Sequence, residues 1–170
     1  PPTDAEPTVE EETEAPVEVP ETHELAITEH EAYSNPWAME FLPGTDLLAI
    51  TERTGALKLR SPDGTVREVT GVPEVVAAGQ GGLGDIIAGP TFESDGTVYL
   101  SWVESGDGGT GAVIGTATLD TDAATLSNVT TIWQQTPKVD GNGHFSHRMA
   151  IHEDHLYVSS GDRQQMDPAQ

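Results

Sequence analysis

The segment Gly141-Asn142-Gly143-His144-Phe145-Ser146-His147-Arg148, followed one hairpin later by Gly161-Asp162-Arg163, carries the residue types of proton-transfer chemistry. A histidine in a Gly/Asn loop entering a strand suits a general base, because imidazole changes charge near neutral pH. His144 stands just before the strand into a hairpin and Asp162 just after the strand out of it. In an antiparallel pair those two positions are neighbours. The spacing therefore predicts that the Asp162 carboxylate orients the His144 ring and steadies its protonated form. On residue types alone, a surface histidine and a turn aspartate are the alternative. His147 follows His144 by three, a helical spacing for metal ligands. On a strand the two rings point to opposite faces, so no metal site is expected from the pair.

A second segment holds a decoy. Gly79-Gln80-Gly81-Gly82-Leu83-Gly84 matches G-x-G-x-x-G, which binds pyrophosphate only with a strand before it and a helix N-terminus after it. Here Asp85-Ile86-Ile87-Ala88 runs into Gly89-Pro90, which stops a helix within a turn. The expected structure is a tight loop entering a strand. Gln80 is left as an amide among glycines that let a ligand approach the backbone.

The elements that must position these residues are strands. Short apolar runs with period-two alternation recur between Gly, Pro, Asp and Asn turns, a pattern of sheets rather than βαβ units. The expected strands are Trp37–Leu42, Asp46–Thr51, Ala56–Arg60, Thr65–Thr70, Thr97–Val103, Ala112–Leu119, Val129–Trp133, Arg148–His152 and Leu156–Ser160. The one helical turn expected is near Glu74–Ala78. A repeat is visible. Ala38–Leu42 with Leu47–Thr51, Asp85–Ala88 with Val98–Trp102, and Met149–His152 with Leu156–Ser160 each read as an apolar strand, a connection and a second strand. Met39 precedes Ile86 by 47 residues and Ile86 precedes Met149 by 63, compatible with propeller blades of about 40 to 50 residues carrying loop insertions. The expected fold is all-β: two propeller blades and the beginning of a third.

Charge divides the chain. It has 29 acidic residues, 7 basic residues and no cysteine in 170, a formal charge of -22. Phosphate backbones and anionic lipid both attract clustered Lys/Arg, so neither nucleic acid nor an anionic membrane surface is an expected partner. No apolar run reaches the roughly 18 residues of a membrane span. Without Cys there is no disulfide frame, thiolate metal site or Cys nucleophile. Residues 1–31 hold 11 acids, no Lys or Arg, and five prolines by Pro20. Residues 1–23 are accordingly expected to be a disordered acidic leader, either a tether or a solvating tail. Residues 24–170 form the expected β domain.

Ordered motifs along that domain carry a family resemblance. Pro36-Trp37-Ala38-Met39-Glu40-Phe41-Leu42-Pro43 and Leu47-Leu48-Ala49-Ile50-Thr51-Glu52-Arg53-Thr54-Gly55 come first. Gly71-Val72-Pro73, Gly79-Gln80-Gly81-Gly82-Leu83, Pro137-Lys138-Val139, Gly143-His144-Phe145, Arg148, Gly161-Asp162-Arg163 and Asp167-Pro168-Ala169-Gln170 follow. Over about residues 28–170 the chain resembles the soluble PQQ-dependent aldose sugar dehydrogenases, the glucose/sorbosone dehydrogenase family. The resemblance implies part of a six-bladed β-propeller with pyrroloquinoline quinone (PQQ) at the mouth of its channel. It implies that His144 takes the sugar C1 hydroxyl proton while hydride passes to the quinone, with Asp162 as its carboxylate partner. Gln80 and Arg163 are implied contacts of sugar or cofactor, and Arg148 a structural arginine near the site. The implied Ca2+ and the basic residues that clamp the cofactor would lie beyond residue 170. An electron acceptor is an implied partner, a periplasmic or secreted location is implied, and the acidic leader would fit a lipid-anchored tether. The isolated chain is expected to be inactive, because part of a propeller leaves open sheet edges.

The chain departs from the family pattern in places. Ser146-His147 stands where a Gly usually follows His-Phe, Gly84 where Leu is favoured, and Gly89 where a His usually precedes Pro90. A side chain at 146 would crowd the loop if the backbone there takes positive φ. Two other readings use the same residues. One is a non-catalytic propeller that binds or scaffolds, since propellers host unrelated functions. The other is an acidic calcium-binding domain using the loops at 105–109 and 140–143, which lack the regular carboxylate spacing of dedicated calcium loops.

Overall fold

A computed structural model describes residues 25–165. The expected disordered leader and the closing Asp167-Pro168-Ala169-Gln170 lie outside the described residues. The chain is all-β, and its described residues form three antiparallel sheets. The first contains β1 (Pro36–Phe41), β2 (Leu48–Glu52), β3 (Leu57–Arg60) and β4 (Val66–Glu68). The second contains β5 (Leu83–Ala88), β6 (Thr97–Gly106), β7 (Gly109–Asp120) and β8 (Thr125–Gln134). The third is the hairpin of β9 (Ser146–His152) and β10 (His155–Ser160). Each four-stranded sheet keeps its strands in sequence order, the meander expected of a propeller blade.

The repeat read from the sequence is this pairing. Met39 faces Ile50, Ile86 faces Leu100 and Met149 faces Val158. Alternation sets which side chains meet: Leu57 and Leu59 on β3 are fully buried while Lys58 and Arg60, which alternate with them, are half-buried. These leucines join Leu42, Leu83, Ile86, Leu100 and Trp102 in one core shared by the first two sheets. Each fully buried Leu contributes about 2 kcal/mol.

Polar side chains stitch sheet to sheet. Thr51 Oγ1 on β2 donates to Gly84 O on β5 at 2.6 Å. Asp85 on β5 accepts the Met149 N–H of β9 at 2.7 Å and has Arg148 Nη1 3.4 Å away. Burial pushes the Asp85 carboxyl pKa up, against the Met149 N–H and the Arg148 charge.

Several strand ends shift by two or three residues, as in β4, β6 and β7, and the structure corrects the expected elements more fully in two places. Glu74–Ala78 is not helical: Val76 N–H bonds to Val103 O at 2.8 Å, which draws the segment along the second sheet. Among the described residues the one helical turn is α1 (Phe92–Asp95), where Phe92 is buried and Gly96, at φ 68, closes the turn onto Phe92 O. The fourth strand of the second sheet is also longer than expected, ten residues from Thr125. Its first half, Thr125–Asn128, is mostly polar, so the apolar run marked only the second half, where Val129, Ile132 and Trp133 are exposed; the one buried residue of the strand is Leu126.

Candidate active site

The Gly-rich segment 79–84 turns into β5 and no helix follows it, so its glycines serve the loop rather than a phosphate. That loop meets the Gly141–Phe145 loop and the end of β10 around an open cavity of about 720 Å³. Trp37, Arg53, Gln80, His144, His147 and Asp162 are in its wall.

His144 Nδ1 is 2.7 Å from Asp162 Oδ1, the contact predicted from their places at the two ends of the hairpin. An ionised carboxylate only accepts, so the neutral ring carries its proton on Nδ1 and keeps a lone pair on Nε2. His144 and Asp162 are each about half exposed, which leaves Nε2 accessible from the cavity. The His144 hydrogen bond, and then the Gln164 N–H, hold the Asp162 carboxyl below its usual range. Gln80 holds the other side of the base: its side-chain Oε1 accepts the His144 backbone N–H at 2.7 Å, and its backbone N–H donates to Asn142 O at 2.7 Å. The amide is thus both in the cavity wall and a clamp on the loop. Gly161 is required beside it, because an added Cβ would overlap the His144 carbonyl.

Arg163, which the resemblance implied as a sugar or cofactor contact, lies elsewhere. It is 1% exposed and is not in the cavity wall. Its guanidinium lies over the Phe145 ring, 3.8 Å from the centroid, and donates to Gly143 O, Gly141 O, Thr110 O, Thr110 Oγ1 and Gln135 Oε1. It acts as a strut that fixes the loop carrying His144. Arg148 sits 5.3 Å from the Trp37 ring and, with its contact to Asp85, braces the cavity's outer wall.

His147 corrects an expectation. On a regular strand it would face away from His144, yet both rings are in the same wall. The reason is backbone conformation: His144, Ser146 and His147 have φ of 49, 62 and 49. Three left-handed residues in four break the two-residue alternation, at a cost of roughly 1 kcal/mol or more each. Position 146, where the family resemblance expects Gly, does take positive φ. Gly84 and His147 are a matched pair: a Cβ at Gly84 would overlap the His147 ring.

Burial lowers His147 to a pKa of about 4. The unfolded ring takes up a proton below roughly 6.5, whereas the folded ring does so only near 4. Stability contributed by the neutral ring is therefore complete above 6.5 and is lost as pH falls through that window, by about 3 kcal/mol in all. Thermal unfolding of the intact protein between pH 7 and 4 should show a falling Tm. His147→Leu should flatten that slope; a variant with the wild-type slope would refute the assignment.

Arg53 and Trp37 were not singled out as site residues from the sequence. Arg53 follows β2 and donates to Gly79 O, and Trp37 stacks on His147; no local motif signals either contact. The calcium reading of the loops at 105–109 and 140–143 meets two cations already in place. Lys138 Nζ bonds Glu104 Oε1 at 2.5 Å and Ser105 O at 3.3 Å, and Arg163 takes Gly141 O. Among the described residues no group of three or more His, Asp or Glu could hold a metal ion.

Known proteins resemble the stretch of chain that carries these residues. The family model described as Glucose / Sorbosone dehydrogenase matches residues 33–170. The chain is 34% identical over 139 residues to the aldose sugar dehydrogenase YliI of Escherichia coli strain K12, covering 80% of this chain and 38% of that protein. The apo-form structure of the soluble aldose sugar dehydrogenase from Escherichia coli superposes with a TM-score of 0.76 at 33% identity, over 80% of this chain and 40% of that one. The PQQ-bound aldose sugar dehydrogenase from Streptomyces coelicolor gives a TM-score of 0.71 at 26% identity, over 81% and 41%. The chain thus spans about two fifths of the length of these relatives.

Proposed function

The chain belongs to the glucose/sorbosone dehydrogenase family, and from that premise we propose that it is the N-terminal part of a quinoprotein that oxidises the C1 hydroxyl of aldose sugars. The observation that carries this reading is the His144–Asp162 pair in the wall of an open cavity, with the His144 Nε2 lone pair free to take a proton.

PQQ is a planar anionic quinone, so its site needs cations and a flat surface. The cavity wall offers the Arg53 guanidinium, the Gln80 amide and the Trp37 indole, a set that fits one edge of such a group. The remaining clamp residues, and the ligands of a Ca2+, are proposed to lie in later segments. When bound, the quinone supplies the acceptor for the hydride leaving C1.

The chain's own residues do the rest. His144 Nε2 accepts the C1 hydroxyl proton, and Asp162 stabilises the imidazolium that forms. Gln80 holds the loop so that the base stays aimed, and Arg163 fixes the same loop from beneath. Loss of a proton to His144 and of a hydride from C1 turns the hemiacetal carbon into a lactone carbonyl.

Exposed Met39 and Phe41 on β1 and Tyr157 on β10 support a longer parent in which further blades of a six-bladed propeller cover them, and in which the isolated chain is inactive. The acidic leader fits a tether, lipid-anchored or secreted, in the periplasm or outside the cell. No helix among the described residues is long and apolar enough to cross a membrane.

The intact protein, loaded with PQQ and calcium, should reduce a redox dye when given an aldose such as D-glucose. Asp162→Asn should lower kcat by about 100-fold with little change in KM, because an amide can donate to Nδ1 and so favour the wrong tautomer. No aldose oxidation by the wild-type protein would sink the proposal and leave a non-catalytic binding propeller. A full rate in Asp162→Asn would remove Asp162 from its role.

A further inference from the structure

One imidazole in the cavity wall has no part in the proton transfer. His147 is 1% exposed and stacks on Trp37, with ring centroids 5.0 Å apart and planes inclined by 14°. Its Nδ1–Cε1 edge fills the notch left by Gly84, and Nδ1 lies 2.8 Å from Ser101 Oγ on β6.

Counting donors places the proton. Ser101 Oγ accepts the Asp85 backbone N–H at 2.7 Å. Its own hydroxyl hydrogen needs an acceptor, and among the described residues the one in reach is His147 Nδ1. A proton on Nδ1 would leave that hydroxyl buried and unpaired, at the full desolvation cost of a polar group. The neutral ring therefore accepts at Nδ1 and carries its hydrogen on Nε2. Burial, which lowers the pKa to about 4, keeps the ring neutral at ordinary pH. Nε2 has no hydrogen-bond partner among the described residues, nor is it one of their sealed, unpartnered side-chain atoms. The ring lines the cavity, and Nε2 is its one nitrogen without a partner among the described residues.

We propose that His147 is a specificity-determining donor, presenting its Nε2–H to a hydroxyl or ring oxygen of the sugar held against His144. The proposal rests on the aldose reading of the same cavity. The two imidazoles then have opposite tautomers fixed by their partners: Asp162 makes His144 an acceptor, and Ser101 makes His147 a donor. A sugar, whose hydroxyls both donate and accept, satisfies such a pair. Failure to offer the oxygen leaves a buried N–H unpaired, which is how a polar site rejects the wrong ligand.

The test uses the intact protein labelled with 15N-histidine. Long-range nitrogen–proton spectra should show His147 protonated on Nε2 and bare on Nδ1 between pH 6 and 8. The probe is 1,5-anhydro-D-glucitol, which lacks the C1 hydroxyl and is not turned over; it should shift the Nε2 resonance. His147→Phe keeps the ring and the Trp37 stack but loses the donor. It should weaken calorimetric binding of the probe and raise KM for D-glucose by about tenfold, with kcat changed less than about threefold. One monodeoxy-glucose should lose a similar factor with the wild type and nothing further with His147→Phe. A wild-type ring protonated on Nδ1, or an Nε2 resonance unmoved by saturating probe, overturns the proposal, and neither measurement depends on the variant folding. Unchanged sugar binding in a folded His147→Phe overturns it while leaving the aldose reading intact. Failure of the wild type to bind or oxidise any aldose overturns both.

Discussion

His144→Ala in the intact, PQQ-loaded protein is expected to lower kcat for aldose oxidation by about 10³-fold, with KM within a few fold of wild type. A positioned general base is worth about 10² to 10⁴ in rate, and the arrangement here puts the whole of that term on one atom. Nδ1 is committed to Asp162 at 2.7 Å, so Nε2 alone can take the proton. The other imidazole cannot substitute. His147 is buried with a pKa of about 4, and Ser101 occupies its lone-pair nitrogen. Dye reduction under saturating sugar measures the effect, and circular dichroism checks that the sheets survive, which they should because His144 is half exposed. A kcat within tenfold of wild type would remove His144 as the base and would favour a cavity that binds without reacting.

Arg163→Met should be the most damaging change to stability, about 4 kcal/mol, corresponding to a fall in Tm of roughly 10 °C. The methionine stem can still cover Phe145. What it loses is the donor set: five hydrogen bonds to Gly141, Gly143, Thr110 and Gln135. Those acceptors lie under the loop, where a group left unpaired costs roughly 1 to 3 kcal/mol. Arg163→Lys should recover little, since a point charge on a flexible stem cannot span acceptors arranged for a planar fork. The rate should fall as well, because the same loop carries His144. The competing expectation, that Arg163 touches sugar or cofactor, predicts a raised KM at unchanged Tm. Thermal unfolding and steady-state kinetics on one preparation therefore separate strut from contact.

The sequence made the hairpins legible because two signals coincide there: period-two alternation and the Gly, Pro, Asp and Asn turns. The His144–Asp162 contact was legible for the same reason, since both residues stand at the ends of one hairpin. What stayed hidden depends on backbone angles and distant contacts. Nothing in the run Phe145-Ser146-His147 announces left-handed φ, so strand logic sent His147 to the wrong face. The Gln80 clamp joins residues 64 apart, and its role as a loop clamp could not be separated from a ligand contact by residue type. Arg163 carried a usable signal. A lone cation amid Gly-rich loops with few ladder partners is where backbone carbonyls gather, and a guanidinium there is suited to collect them.

Because the cavity is walled by Trp37 of the first sheet and Arg53 in the turn after β2, the Gln80 loop that leads to the second sheet, and both ends of the third, it is the property of no single repeat. Leu57, Leu100 and their neighbours build cores of a kind that duplication of one sheet can copy. Among the described residues, neither of the other two sheets carries a His–Asp pair placed as His144 and Asp162 are. A lineage that grew by duplicating one unit would have inherited its packing from the ancestor and acquired its chemistry only once several copies were joined and free to diverge at their seams.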